Sequence, residues 1–339
     1  MKVLVTGGTG FIGSHLVEAL LAQGHEVRCL VRDPASPRWL AGLPVSLVRG
    51  DCTEPDTLPS AVRDADWVFH AAGLVKARTP REFYRVNAQG TAHLVRACLR
   101  HASRLSRFLY VSSLAASGPS PDGTPVREED PCRPINDYGR SKRQGEEAIL
   151  RCDGELPWII VRPPAIYGPR DRAFLPFFRL AGLGLFPRFP GEKRASLCYI
   201  TDLIAGIVKA VRQAEAIHRI YFIADPRPCS WSDLYEALAA ASRRRMLRVP
   251  VPAWLLYAAA WGSEMVGILR GRPAFLSRQK ARELLQPQWL CDVSRAQREL
   301  NFAAEVPLHE GVQRTWAWYV RHGWLPGASN AKGGARGSF

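Results

Sequence analysis

The sequence predicts an α/β fold in which helices flank a doubly wound parallel sheet. Short runs rich in β-branched residues alternate, along the first half of the chain, with longer segments that carry apolar residues at helical spacing. The strand-like runs are 2–6, 26–31, 45–48, 67–70, 108–112 and 157–161, and the helical segments are 11–23, 80–101 and 136–151. Alternation of this kind indicates βαβ units, whose right-handed crossovers produce a doubly wound sheet.

The pattern changes after Arg162, which indicates a second lobe. Prolines interrupt the chain up to residue 190, and a helix at 202–212 and a strand at 220–223 are expected to return to the sheet. We therefore expect a sheet domain over 1–165, completed by about 195–224. Residues 166–194 and 225–326 are expected to form a smaller, mostly helical substrate lobe over the carboxyl ends of the strands. The tail 327–339, rich in Gly, Ala and Ser, is expected to be disordered.

A glycine-rich segment, TGGTGFIG at 6–13, joins the first predicted strand to the first predicted helix. Gly7 permits a tight turn, Gly10 lets the backbone approach a pyrophosphate, and Gly13 lets the helix pack close to the strand. The free N–H groups at the helix N-terminus can then bind the phosphates. The order of strand, glycines and helix predicts a Rossmann domain that binds NAD(P). Its expected cofactor contacts are Gly7, Thr9, Gly10, Phe11, Ile12 and Gly13.

The residue after the second strand distinguishes the two nicotinamide cofactors. An acidic side chain there binds the 2′-hydroxyl of NAD, whereas an arginine binds the 2′-phosphate of NADP. Arg32 stands at this position, so the sequence favours NADP(H). NAD(H) is the alternative, in which Arg32 stacks on the adenine while Asp33 reaches the ribose. Asp51, after the third strand, is placed either to bind the adenine amino group or to cap the following segment.

Tyr138 and Lys142 lie four residues apart in a predicted helix, so both side chains project from one face. A lysine ammonium beside a phenol favours the phenolate, and we therefore expect the pKa of Tyr138 to be lowered toward neutral pH. Lys142 can also bind the nicotinamide ribose. Ser113 follows the fifth strand, where its hydroxyl can hold a substrate oxygen. The set predicts proton transfer by Tyr138, coupled to hydride transfer at the nicotinamide.

These residues belong to a series of motifs that resembles the extended short-chain dehydrogenase/reductase family, also called the NAD-dependent epimerase/dehydratase family. Besides the glycine segment, the matching motifs are HAAG at 70–73, NAQGT at 87–91, VSS at 111–113, YGRSK at 138–142, RPPAIYGP at 162–169 and YITD at 199–202. The resemblance implies that Asn87 supports the active-site water and proton path. It also implies that the cofactor is lined by Ala71, Ala72, Gly73, Pro163 and Ile166.

The branch of the family is indicated by two regions. Ser113 is followed by Leu114 and Ala115, where related dehydratases carry an acidic pair, and Ser117 stands where epimerases often have tyrosine. The C-terminal motifs, among them PAFLS at 273–277 and TWAWY at 315–319, resemble the 3β-hydroxysteroid dehydrogenase and dihydroflavonol-reductase-like branch. The resemblance implies a dehydrogenase or reductase that interconverts a secondary alcohol and a ketone on a bulky, sterol-like or flavonoid-like substrate. A nucleotide-sugar epimerase and a non-catalytic, dinucleotide-binding assembly subunit are the alternatives.

Composition adds few constraints on partners. The formal charge is +15, but the arginines are spread along the chain, which favours a solvated basic surface over a nucleic-acid site. The eight cysteines are scattered without a Cys-x-x-Cys pair, so we expect reduced packing residues and no metal site. With no signal-peptide pattern, the expected location is cytoplasmic.

One apolar segment, 251–269, approaches the length of a membrane span. Pro252, Gly262 and Glu264 make it a poor span, and we expect instead an apolar helix. Trp254, Tyr257 and Trp261 would share one of its faces. Such a helix can touch the cytoplasmic face of the membrane as a peripheral contact or roof an apolar substrate pocket. A buried helix of the lobe and a homodimer contact are the alternatives.

Overall fold

A computed structural model describes residues 1–326 and confirms the α/β architecture. The strands are β1 Lys2–Thr6, β2 Glu26–Val31, β3 Ser46–Arg49, β4 Trp67–His70, β5 Arg107–Val111, β6 Trp158–Arg162, β7 Ala165–Tyr167, β8 Leu185–Arg188, β9 Arg194–Ala195, β10 Leu197–Tyr199, β11 Arg219–Phe222, β12 Cys229–Ser230, β13 Leu247–Pro250 and β14 Gln288–Trp289. The α-helices are α1 Phe11–Ala22, α2 Pro59–Val62, α3 Pro80–Phe83, α4 Gly90–His101, α5 Leu114–Ser117, α6 Asp137–Leu150, α7 Leu175–Gly182, α8 Ile200–Arg212, α9 Trp231–Ser242, α10 Ala253–Leu269, α11 Arg278–Leu285, α12 Ser294–Leu300 and α13 Leu308–Arg321.

The main sheet has seven strands in the order β11-β6-β5-β4-β1-β2-β3, and every neighbouring pair is parallel. The chain moves from β1 outward to β3 and then returns to place β4 on the other side of β1. The point between β1 and β4 is therefore the topological switch of the sheet. In open α/β sheets, ligands bind beyond the carboxyl ends of the strands at such a point.

The sheet is buried on both faces, because side chains alternate along each strand. In β4, Phe69 packs into the core on one face with Leu16 of α1, and Val68 packs into the core on the other with Leu94 of α4. All four of these side chains are fully buried. Strands β11 and β6 pair at one edge, so a late segment of the chain completes the sheet.

The remaining elements form short sheets and a group of helices. Strand β7 pairs with β10, β8 pairs with β13, and β9 lies between β12 and β14. Helix α13 packs against α9, and α10 packs against α11. Within residues 1–326, no helix is long and apolar enough to cross a membrane. The tail 327–339, for which disorder is expected, lies outside the described residues.

The structure divides the helix predicted over 80–101. Helix α3 is followed by a π-helical turn, Tyr84–Gln89, before α4 begins. The wide turn carries Asn87, whose side chain is held by contacts far along the chain. Tertiary hydrogen bonds of this kind change helix geometry without a signal in the local periodicity, and π-turns are frequent at functional sites.

Candidate active site

The glycine loop between β1 and α1 is tightly packed, because its glycines have no side chains. Gly7 has a φ of +75°, and a Cβ there would lie 2.6 Å from the backbone nitrogen of Ala72. A Cβ at Gly13 would lie 2.2 Å from the carbonyl oxygen of Gly7. Around Gly10, the nearest atom to such a Cβ is the same oxygen, at 3.1 Å, and the outer side of the loop is open. The turn and the close packing expected at Gly7 and Gly13 are therefore present.

The N-terminus of α1 offers backbone donors to a phosphate group. The N-cap residue of α1 is Gly10, so no side chain caps this end of the helix. Within residues 1–326, the N–H groups of Phe11, Ile12 and Gly13 donate to no protein acceptor. Unpaired donors at a helix N-terminus, together with the helix dipole, attract an anion. The loop thus fits the pyrophosphate of a dinucleotide, with Thr9 half-buried beside it.

The segment after β4 forms the opposite wall of this cradle. The carbonyl group of Ala71 and the N–H of Ala72 lie against Gly7, with no room for a side chain between them. A Cβ at Gly73 would lie 3.1 Å from Oδ1 of Asn87 and 3.7 Å from Nζ of Lys142. The positions implied by the resemblance therefore border both the glycine loop and Lys142 of α6. Their contacts with a cofactor stay predictions.

Two further positions implied by the resemblance lie after β6. The carbonyl oxygen of Pro163 accepts a hydrogen bond of 2.8 Å from the N–H of Leu114, which fixes Pro163 beside Ser113. Ile166 is half-buried in β7, where it pairs with Cys198. Their approach to a nicotinamide stays a prediction.

The end of β2 presents Arg32 to solvent. Asp33, one position further on, is also exposed; its Oδ1 accepts a hydrogen bond of 3.0 Å from the N–H of Ala35, and its other oxygen is available to a ligand. Asp51 accepts a similar bond of 2.8 Å from the N–H of Thr53 through Oδ1. One oxygen of Asp51 therefore stabilises its own loop, as the capping alternative expects, and the other is available to a ligand.

Ser113 and Tyr138 are brought together by the close packing of α5 on α6. Ser113 precedes α5, and its hydroxyl oxygen accepts a hydrogen bond of 3.1 Å from the N–H of Ala115. Asn136 caps α6 through a bond of 2.7 Å from the N–H of Gly139 to its Oδ1. A Cβ at Gly139 would lie 2.2 Å from the carbonyl oxygen of Ala115, so a larger residue would separate the helices.

Lys142 is buried one turn further along α6. Its Nζ donates a hydrogen bond of 2.6 Å to the carbonyl oxygen of Val111 and lies 4.1 Å from the centre of the Tyr110 ring. Burial lowers the pKa of Lys142 to about 7, although the carboxylate of Glu146 opposes the shift. The lysine can therefore take up or release a proton near neutral pH.

The predicted lowering of the Tyr138 pKa is wrong for the cofactor-free enzyme. Burial raises the pKa of Tyr138 to about 12, with a smaller opposing effect from the hydroxyl of Ser113 and a further increase from Glu283. The expectation assumed a permanent ammonium beside the phenol. In the structure, Lys142 is itself poorly charged at neutral pH and its Nζ is bonded to Val111. Tyr138 is accordingly a protonated phenol, suited to donate a proton.

Asn87 connects the segment after β4 to α6. Its Oδ1 accepts from the N–H of Leu74 at 2.8 Å, and its Nδ2 donates to the carbonyl oxygen of Leu74 at 3.0 Å and to Oγ of Ser141 at 2.9 Å. The side chain is fully buried. These contacts position Lys142 and Gly73, while the implied role of Asn87 in a water and proton path stays a prediction.

Sequence analysis missed a buried ion pair beneath Lys142. Both carboxylate oxygens of Glu146 accept hydrogen bonds from Arg162, at 2.7 and 2.9 Å, and Ser112 donates a third. Burial alone would raise the pKa of Glu146, but the guanidinium of Arg162 outweighs it and the pKa is lowered. Glu146 lies four residues after Lys142 on the same helix, and this spacing indicates that its carboxylate lies near Lys142.

His70 opens the HAAG motif, but no role for it is predicted from the sequence. The fully buried ring bonds to Oγ1 of Thr6 through Nδ1 at 2.7 Å and to Oγ1 of Thr91 through Nε2 at 2.9 Å. Burial, with a contribution from Lys142, lowers the pKa of His70 to about 3. The neutral ring therefore links β1, β4 and α4 behind the glycine loop.

Helix α11 lies over the start of α6. Gln279 accepts a hydrogen bond of 2.7 Å from the N–H of Asp137 through Oε1, and Glu283 accepts one of 3.2 Å from Nδ2 of Asn136. Nζ of Lys76, in the loop after β4, donates to the carbonyl oxygen of Phe275 at 3.4 Å. The candidate site therefore lies between the sheet edge and the α10–α11 hairpin.

Comparison with known proteins identifies the family. The model of the NAD dependent epimerase/dehydratase family matches residues 3–224, which include the glycine loop, Ser113, Tyr138 and Lys142. The chain belongs to this family. It is an oxidoreductase of the extended short-chain dehydrogenase type, and the family depends on a nicotinamide dinucleotide.

Several curated proteins are similar over nearly the whole length. The chain is 35% identical to a ceramide reductase of Caulobacter vibrioides, with 96% of each chain covered. It is 30% identical to a 3-beta-hydroxysteroid dehydrogenase of Mycolicibacterium neoaurum, with 94% and 91% covered. A UDP-glucose 4-epimerase of Vibrio cholerae is 27% identical, with 93% and 94% covered. The predicted branch is thus represented among the relatives, and so is an epimerase.

A solved structure confirms the fold. The crystal structure of gox2253 matches with a TM-score of 0.80 at 27% identity, and the match covers 96% of this chain and 99% of that chain. The predicted Rossmann architecture is therefore confirmed over nearly the full length.

Proposed function

We propose that this enzyme interconverts a ketone and a secondary alcohol on a bulky, apolar, lipid-like substrate. The observation that carries the proposal is an aromatic neighbour of Tyr138, together with an apolar helix in the hairpin over the site. The ring of Phe83 lies 6.1 Å from the ring of Tyr138, and the hairpin over the site begins with the apolar helix α10. Two relatives that match along nearly their whole length are named for ceramide and a 3β-hydroxysteroid, which are both large apolar molecules.

The residues present support this chemistry in the direction of reduction. The hydroxyl of Ser113 would hold the substrate oxygen, and the phenol of Tyr138 would donate its proton to that oxygen. A pKa of about 12 keeps Tyr138 protonated in the resting enzyme. Lys142, with a pKa of about 7, can return a proton to the site near neutral pH. A bound nicotinamide supplies the hydride.

We propose NADP(H) as the preferred cofactor. The exposed Arg32 stands directly after β2 and can pair with a 2′-phosphate, whereas Asp33 is one position further on and one of its oxygens bonds to the backbone of its own turn. An arginine that meets a phosphate gains bidentate, charge-assisted hydrogen bonds. An unpaired acidic group at this position would favour the 2′-hydroxyl of NAD instead.

Oxidation of NADPH and of NADH, followed by absorbance, tests both proposals. The substrates are a long-chain keto amide, a 3-ketosteroid and a short water-soluble ketone, with UDP-glucose as the competing class. We expect turnover of at least one of the two apolar ketones, with NADPH preferred and with a lower KM than for the short ketone. Conversion of UDP-glucose to its epimer, without turnover of any ketone, would instead establish the epimerase alternative.

A further inference from the structure

The outer face of α10 is apolar along its whole length. The helix packs inward through Leu256, Ala260 and Gly267, which are buried. On the outward side Trp254 is 70% exposed, Trp261 57%, Ile268 69% and Leu269 86%. A surface helix normally turns charged or polar residues to this side. A continuous apolar face of this kind indicates an interaction surface.

Basic residues flank α10 in the sequence on both sides. The segment 243–285 contains nine basic and two acidic residues. Both acidic side chains are paired within the segment, Glu264 with Arg278 at 2.7 Å and Glu283 with Lys280. The other basic residues are Arg243, Arg244, Arg245, Arg248, Arg270, Arg272 and Arg282. The segment that contains α10 therefore carries a strongly positive net charge.

We propose that α10 and the loop 270–277 dock the enzyme on an anionic phospholipid bilayer. The 17 residues of α10 form a rod about 25 Å long that can lie in the plane of the interface. Trp254 and Trp261 suit the headgroup level, where their rings are partly apolar and partly hydrated. The flanking arginines meet the anionic headgroups.

The charge distribution favours a bilayer over a second copy of the chain. A symmetric dimer through this face would place two identical, arginine-rich borders against each other. Like charges opposed across an interface weaken association. An anionic bilayer can bury the apolar face and, at the same time, pair its headgroups with the arginines.

The docking surface is continuous with the candidate site. Phe275, in the loop after α10, is held by Lys76, and Gln279 of α11 bonds to the backbone of Asp137, the residue before Tyr138. The path of a lipid substrate from the bilayer to Tyr138 would therefore run beside this loop and the start of α11. This delivery step rests on the proposed function, whereas docking itself does not.

Flotation with vesicles tests docking without any substrate. Vesicles of phosphatidylcholine, with and without phosphatidylglycerol, are mixed with the enzyme at low and high salt. The unmodified enzyme should float with the anionic vesicles at low salt, and salt should weaken the binding because it screens the charges. Changing Trp254 and Trp261 to Ser, or Arg270 and Arg272 to Gln, should lower vesicle affinity about tenfold or more.

Helix α4 offers matched controls, because its exposed side carries Arg96, Leu99 and Arg100. Leu99→Ser, and the pair Arg96→Gln with Arg100→Gln, should leave flotation within about twofold of the parent. Retained NADPH binding would show that each variant is folded. Hydrogen exchange of the unmodified enzyme gives a test that needs no variant, and amides of 253–277 should be protected by the anionic vesicles.

Absence of flotation and of protection for the parent would overturn the proposal. Flotation that is lost in the α4 variants but retained in the α10 variants would overturn it as well. A dimer in native mass spectrometry that the tryptophan changes dissociate, without vesicle binding by the parent, would assign the face to self-association instead. Loss of lipid turnover alone, with docking intact, would bear only on the proposed function.

Discussion

Replacing Lys142 by methionine should stabilise the cofactor-free enzyme while abolishing its activity. Burial lowers the pKa of Lys142 from 10.5 to about 7, with Glu146 opposing the change. Between these two pH values the unfolded chain binds the proton and the folded chain does not, so stability increases with pH. The destabilisation caused by the buried lysine is therefore largest below pH 7 and disappears near pH 10.

The size of the effect follows from the same shift. At about 1.4 kcal/mol per pKa unit, the buried lysine destabilises the fold by about 5 kcal/mol below pH 7. Methionine removes this penalty but also removes the 2.6 Å hydrogen bond from Nζ to the carbonyl oxygen of Val111. Losing that bond costs about 1–3 kcal/mol. We expect a net gain of about 2 kcal/mol or more at pH 6 and almost none at pH 9.

Thermal unfolding of the parent and of Lys142→Met, without cofactor at pH 6 and pH 9, measures the difference. The melting temperature of the variant should exceed that of the parent by several degrees at pH 6, and the gap should close at pH 9. Lys209→Met is the control, because this half-buried lysine also donates to a backbone carbonyl, that of Asn301. A variant less stable than the parent at pH 6, or a gap independent of pH, would refute the reasoning.

Three further substitutions test the candidate site. Tyr138→Phe should lower kcat about 100-fold or more, because the phenol donates a proton, and it should leave cofactor affinity within a few-fold. Tyr235→Phe is the control. Full activity of Tyr138→Phe would contradict the role of Tyr138 as proton donor. Arg32→Ala should weaken NADPH binding about tenfold or more in a fluorescence titration, because the 2′-phosphate loses its partner, and should leave NADH binding unchanged. If the parent binds NADH more tightly than NADPH, Asp33 is the discriminating residue instead. Gly13→Ala should abolish cofactor binding in equilibrium dialysis, because its Cβ would lie 2.2 Å from the carbonyl oxygen of Gly7, and binding at the parent level would show that the loop is not the cradle.

The sheet could be predicted because its signals are local. Buried parallel strands are short apolar runs, and the predicted 26–31 and 67–70 agree with β2 and β4 at both ends. The division of 80–101 could not be predicted, because the π-turn depends on bonds from Asn87 to Leu74 and Ser141. The fold brings these partners close to Asn87, and helical periodicity in the sequence does not report such contacts.

The positions of the catalytic groups were predictable, but their ionisation was not. The four-residue spacing places Tyr138 and Lys142 on one helix face whatever surrounds them. Their pKa values depend instead on burial and on a carbonyl oxygen at the end of β5. The outward exposure of Trp254 and Trp261 likewise depends on which side of α10 meets α11, and an apolar sequence does not specify that side.

Deuterium transfer tests the proposed reduction most directly. The enzyme is incubated with an apolar ketone and NADPH that carries deuterium at both C4 positions of the nicotinamide, and the product is analysed by mass spectrometry. We predict one deuterium at the new carbinol carbon, one NADPH consumed for each alcohol formed, and loss of the product with Tyr138→Phe. Absence of labelled alcohol from every apolar ketone tested, together with epimerisation of UDP-glucose without net consumption of cofactor, would contradict it.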